Sequence, residues 1–146
     1  MVSERTPTDA TPIAGLGEIA LRVDDLDRMT EFYADVVGLS ILGEFETSTF
    51  FDIAPGVEGH TQILALFDRS ESADYTPPDA TRSTVDHIAF GIPLDAYDSE
   101  KDRLESHGLT VDTAVHEWVQ WRSLYVTDPE GNRVELVCHD ERLASE

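Results

Sequence analysis

The chain has 146 residues, 40% of them hydrophobic, with 30 Asp and Glu against 10 Lys and Arg, for a formal net charge of −20. That length suits one domain, or two small fused modules sharing a core, and that charge repels nucleic acid and anionic membrane surfaces. No apolar run reaches transmembrane length, no basic-then-apolar leader is visible and the single cysteine, Cys138, excludes an intrachain disulfide, so we expect a cytoplasmic protein.

In chain order, residues 1–12 are rich in Thr, Pro and Asp without periodicity and read as a flexible lead-in. A first module is expected over 13–68. Its first strand, Leu16 to Val23, sets Ile19, Leu21 and Val23 on one face and Glu18 on the other. Asp24 and Asp25 are N-cap candidates for a helix over 25–37. Leu26, Met29, Phe32, Tyr33, Val36 and Val37 recur there at helical spacing, and Gly38 fits the left-handed position that ends it. Ser40 to Thr47, Thr49 to Ile53 and Thr61 to Phe67 read as strands, with a turn-rich loop at Pro55, Gly56 and Gly59.

Residues 69–84 are polar and Pro-containing, a linker. The pattern then restarts in a second module over 85–140. In Val85 to Ile92, Ile88, Phe90 and Ile92 share one strand face, while His87, Ala89 and Gly91 share the other. Small side chains beside one imidazole suit a hollow surface. A helix over 95–107 follows, capped by Asp95, with Tyr97 and Leu104 as a thin apolar face and Gly108 as its stop. Thr110 to His116, Trp121 to Thr127 and Arg133 to Cys138 complete the strands, the last two joined by the tight turn Asp128-Pro129-Glu130-Gly131-Asn132. Residues 141–146 form a polar tail.

The two halves repeat at about seventy residues: Glu18 answers to His87, Gly38-Leu39 to Gly108-Leu109, and Glu58-Gly59 to Glu130-Gly131. Repeated units of this kind bury a shared surface. The expected fold is α+β, two βαβββ modules forming a curved mixed sheet around a cleft, with helices outside.

These residues carry a family resemblance. The run Glu18-Ile-Ala-Leu-Arg-Val-Asp-Asp-Leu-Asp-Arg-Met with Phe32-Tyr33 and Val37-Gly38-Leu39 resembles the opening of the vicinal-oxygen-chelate superfamily. Asp86-His87-Ile88-Ala89-Phe90 and the closing Leu124 to Leu136 segment agree with it, over about residues 14–138. That superfamily, with its glyoxalase/bleomycin resistance/dioxygenase fold, includes glyoxalase I, extradiol dioxygenases, fosfomycin-resistance transferases and bleomycin-binding proteins. The resemblance places metal-ligand positions at Glu18, Ala65, His87 and Glu135. Ala65 cannot bind metal, which departs from glyoxalase I. Glu18, His87 and Glu135 remain as the expected metal ligands, one imidazole and two carboxylates. That set suits one divalent ion: Mn²⁺, Fe²⁺, Ni²⁺, Mg²⁺ or Zn²⁺.

Each of these residues also has a purely structural reading. Glu135 reads as a salt-bridged carboxylate at the core edge, His87 as a hydrogen-bonded strand histidine, and Glu18 as one more surface acid. Their coincidence with ligand positions favours the metal. Parity along Trp121 to Thr127 puts Trp121 and Tyr125 in the cleft, with Tyr125 a candidate general acid and Glu135 or Glu18 a candidate base. Trp118 reads as a lid or dimer contact. His60, His107, His116 and His139 read as solvated, and Cys138 as facing the helix. No Gly-x-Ser-x-Gly elbow, phosphate loop or dinucleotide fingerprint occurs.

The resemblance implies a metal-dependent lyase, isomerase or ring-cleaving dioxygenase acting on a small substrate with two adjacent oxygens. The alternative is a non-catalytic protein of the bleomycin-resistance type that sequesters a small molecule. Relatives are often dimers, and a homodimer is expected. Lys101 is the only lysine, and the acids are spread along the whole chain. This pattern resembles proteins of halophilic archaea adapted to molar salt.

Overall fold

The computed structural model describes residues 11–144. Most of the expected lead-in over 1–12 and the end of the tail, 145–146, lie outside that range. The fold is α+β. Strand β1 (Glu18–Val23) leads into helix α1 (Leu26–Glu31), then β2 (Ser40–Glu44), β3 (Ser48–Val57) and β4 (His60–Asp68). The same order returns as β5 (His87–Gly91), α2 (Tyr97–Ser106), β6 (Asp112–His116), β7 (Trp121–Thr127) and β8 (Arg133–His139). The sheets run β1-β4-β3-β2 and β5-β8-β7-β6. In each, the first strand pairs parallel with the last and the remaining pairs are antiparallel, as the repeat requires. No helix among the described residues is long and apolar enough to cross a membrane.

Local chemistry explains where elements start and stop. The Asp25 carboxylate accepts from the Arg28 amide at 3.1 Å, an N-cap at the head of α1. The expected helix over 25–37 is not uniform. From Phe32 to Val37 it widens into a π-helical turn, which buries both Phe32 and Tyr33. Gly38, at φ +95°, closes it by donating to the Tyr33 carbonyl at 3.1 Å.

Three further expectations are corrected. Strand β2 stops at Glu44. Pro55 and Gly56 lie inside β3, where a register shift between Ala54 and Val57 accommodates the proline, and the turn is confined to Glu58-Gly59. A Cβ on Gly56 would sit 2.0 Å from the His60 carbonyl oxygen, so the strands approach here because position 56 lacks one. Asp95 caps nothing: it lies within a short 3-10 turn, Leu94–Ala96, that follows Pro93 and runs into α2.

One core serves both halves. Leu21, Val23, Met29, Phe51, Leu64 and Leu66 of the first half pack in a single cluster with Phe90, Leu104, Leu124, Val126, Val134 and Leu136 of the second. Leu104 is the only buried residue of α2, so its inner face is thin. Polar ties cross the same boundary. The Tyr33 hydroxyl donates to Asp128 at 2.7 Å. The Glu130 carboxylate accepts from the amides of Asp24 and Asp25 at 2.9 and 2.7 Å. Arg103 donates to the Val36 carbonyl at 2.6 Å. Strand alternation then leaves each sheet an open face, opposite this core.

Candidate functional site

The open face of the second sheet is set by register. Glu135 on β8 stands between Ala89 on β5 and Tyr125 on β7. Val134 and Leu136 turn into the core, so Glu135 turns away from it, yet it is only 6% exposed. Ser123 donates its hydroxyl to Glu135 at 2.5 Å, and the Ser123 carbonyl accepts from the Tyr97 hydroxyl at 3.1 Å. A carboxylate so deeply set needs such partners to offset its lost hydration.

His87 completes a chain of contacts with it. Its Nε2 lies 3.1 Å from Glu135 Oε1, and its Nδ1 lies 2.7 Å from Asp86 Oδ1. Both ring nitrogens therefore face carboxylate oxygens. A neutral imidazole carries one N–H, so one of these contacts lacks a proton unless the ring is charged or a cation stands on the Nε2 side. The tautomer that donates from Nδ1 to Asp86 turns the Nε2 lone pair toward Glu135 Oε1, the arrangement in which the two can share one cation.

Tyr125 is fixed from three sides. The Arg133 guanidinium lies 4.9 Å from its ring centroid and is itself paired with Asp112 at 2.8 Å. The His87 ring meets it edge-on at 6.3 Å. Its hydroxyl lies 3.3 Å from His116 Nε2, so His116 is partly buried and partnered, not solvated as its strand-end position suggested. His60, His107 and His139 are exposed, as expected. Trp121 shares the Tyr125 face and stacks on exposed Trp118 at 6.2 Å. Cys138 is buried, and desolvation pushes its thiol up, away from the nucleophilic thiolate.

Glu18 is elsewhere. It lies exposed on β1, at the edge of the first sheet, with Ala20 beside buried Ala65. Glu18 is not grouped with His87 and Glu135 within one chain. Among the described residues, no three His, Cys, Asp or Glu side chains are grouped closely enough to hold a metal. The donors present, one nitrogen and one carboxylate oxygen, fit half of a divalent-ion site.

A second feature had no sequence signal. Arg22, Arg69 and Arg82 line a cavity of about 710 Å³ between the first sheet and residues 76–85, with Ser83, Thr84 and Asn132. The Arg69 guanidinium lies 4.5 Å from the Phe67 ring centroid. Asp79 and Glu130 line it too, and Arg82 lies 3.9 Å from Asp79, which leaves Arg22 and Arg69 as its cations outside that pair.

Residues 15–136 match the family model described as the Glyoxalase/Bleomycin resistance protein/Dioxygenase superfamily. The chain is 26% identical over 128 residues to the glutathione transferase FosA of Serratia marcescens, covering 85% of this chain and 80% of that one. Among solved structures, a lactoylglutathione lyase from Agrobacterium tumefaciens is similar at 30% identity and a TM-score of 0.63, covering 88% of this chain and 96% of that one. A mutant of the fosfomycin resistance protein FosX from Listeria monocytogenes, complexed with Mn(II) and a dihydroxypropylphosphonic acid, shares the fold at 22% identity and a TM-score of 0.65, covering 90% of this chain and 94% of that one.

Proposed function

Because the chain belongs to the Glyoxalase/Bleomycin resistance protein/Dioxygenase superfamily, we propose that it is a metal-dependent enzyme acting on a small substrate with two adjacent oxygens. Lyase, isomerase and ring-cleaving dioxygenase chemistry fit this reading, and the FosA likeness adds group transfer. The observation that carries the reading is the His87–Glu135 pair, an imidazole whose second nitrogen is aimed at a nearly buried carboxylate.

His87 and Glu135 would hold one divalent ion, and Glu18 of a second copy, set over the His87 end of this face and short of Trp121, would complete the set. The ion, when bound, supplies Lewis-acid polarisation of the two substrate oxygens. Asp86 holds the His87 ring in the tautomer that leaves Nε2 free. Ser123 keeps Glu135 oriented. The Tyr125 hydroxyl, 3.3 Å from His116 Nε2, would donate to, or accept from, a substrate oxygen. Arg22 and Arg69 would receive an anionic group of the substrate or co-substrate. The same reading takes the protein as cytoplasmic, homodimeric and adapted to high salt.

Elemental analysis of the purified protein after incubation with Mn²⁺, Fe²⁺, Ni²⁺, Mg²⁺ and Zn²⁺ tests this. His87→Ala should lower metal affinity at least tenfold, because it removes the only nitrogen ligand. Glu135→Gln should do nearly as much, and Glu18→Ala less. Ala65 supports a second reading, a non-catalytic sequestering protein, since a metal-ligand position is blank there. Wild type that takes up none of these ions would favour that reading and remove the enzyme.

A further inference from the structure

The open face of the second sheet continues past Glu135 into a hollow the metal reading does not use. It holds about 400 Å³ and is walled by Gly91, Ile92, Pro93, Trp121, Val137, Cys138 and His139. The hollow exists because β5 carries no bulk there: a Cβ on Gly91 would meet no atom within 4 Å. Trp121 lines one side, and Trp118 stands against it at 6.2 Å with the rings tilted by 47°. They are 43% and 52% exposed, although burying an indole is among the larger gains a side chain offers.

The pair is held out by its own scaffold. Gln120, between the two tryptophans, takes φ +60°, and its carbonyl accepts from the Asp140 amide at 2.7 Å. Its side-chain amide donates to the carbonyls of Glu141 and Leu143 at 3.1 and 2.7 Å. Asp140, buried, accepts from Arg122 and Arg142 and anchors that strap. A wall preorganised in this way binds without a further ordering cost. A shallow hollow of about 400 Å³ takes one flat group, and a protein partner needs a far larger surface. Trp121 lies four residues along β7 from Tyr125, roughly 13 Å at about 3.3 Å per residue.

We propose that this hollow is a subsite for an uncharged planar group, aromatic or conjugated, which stacks on Trp121. The inference deepens the proposed function by stating what the substrate carries at its far end, about one small molecule's length from the His87–Glu135 pair. The wall holds no Asp, Glu, Lys or Arg, so nothing there carries a fixed charge to pair with a charged ligand.

The chain has two tryptophans, Trp118 and Trp121, so its tryptophan fluorescence reports this place alone. The full chain, free of metal, is titrated with 4-nitrobenzyl alcohol, a neutral planar quencher. Saturable quenching is expected. Gly91→Leu should weaken it at least tenfold while circular dichroism is unchanged, because the new side chain fills the hollow. Trp121→Leu, read through Trp118, should lose saturation as well, and covers the case in which Gly91→Leu does not fold. Quenching that stays linear in wild type, or equal affinity in these variants, overturns the proposal. So does a blue shift of emission with rising protein concentration, which would show a second copy covering the pair. Since no metal is present, saturation without metal uptake removes the enzyme and leaves the subsite, and uptake without saturation does the reverse.

Discussion

At Asp140 a carboxylate with no exposed surface sits between Arg142 and Arg122, whose hydrogen bonds hold it well below the usual carboxylate range. Its folded state favours the charged form. The stabilisation is therefore fully present above the unfolded value, about pH 3.9, and is lost as pH falls through the lower folded value. We expect Asp140→Asn to be less stable than wild type at pH 7 and the gap to narrow toward pH 2. Urea unfolding at the two pH values measures it. Sequence alone showed only part of such residue-level detail. Alternation along Arg133 to Cys138 was enough to turn Glu135 away from the core. The bonds from Ser123 to Glu135, from Asp86 to His87 and from Tyr125 to His116 depend on cross-strand register and rotamers, which a local pattern does not specify.

Among the elements, glycines mark two different constraints. Gly38 is left-handed at φ +95°, with open space where a Cβ would go. Gly38→Ala should cost about 1 kcal/mol, all of it backbone strain. Gly56→Ala should cost more, because the Cβ would meet the His60 carbonyl and β3 must part from β4. Denaturant midpoints rank the two. The first constraint was legible in the sequence, since Gly38 follows a helical repeat. The second was not: Pro55 and Gly56 have the composition of a turn, and only pairing with β4 carries the strand through them. The second helix shows the same limit. Asp95 has the chemistry of a cap, but Pro93 starts a 3-10 turn ahead of it and the orphan amides fall elsewhere.

For the whole molecule, charge and edges decide the behaviour. At −20, self-repulsion opposes the compact state in dilute buffer, and added ions screen it. The melting temperature should rise steeply from dilute buffer to molar KCl; a flat or falling series would remove the salt-adaptation reading. Strands β1 and β2 end the first sheet, and Ile41 and Leu42 of β2 are exposed together with Phe45 just beyond it. Light scattering in high salt should give twice the 16.2 kDa chain mass, and a monomer at all concentrations would leave Glu18 without a route to His87. The repeat showed the two-sheet plan in advance. It did not show that Glu18 stands apart from the His87–Glu135 pair, because the packing of one half on the other is set by the long-range core.

That packing has a consequence for how such a chain can be divided. The first helix begins on amides satisfied by Glu130, and Tyr33 finds its acceptor in Asp128, both supplied by the other half. Neither copy of the repeat is self-sufficient, whatever its ancestry. A break in the linker between them would yield complementary fragments that fold on meeting, not two miniature proteins, and heat would dismantle both copies in a single cooperative step.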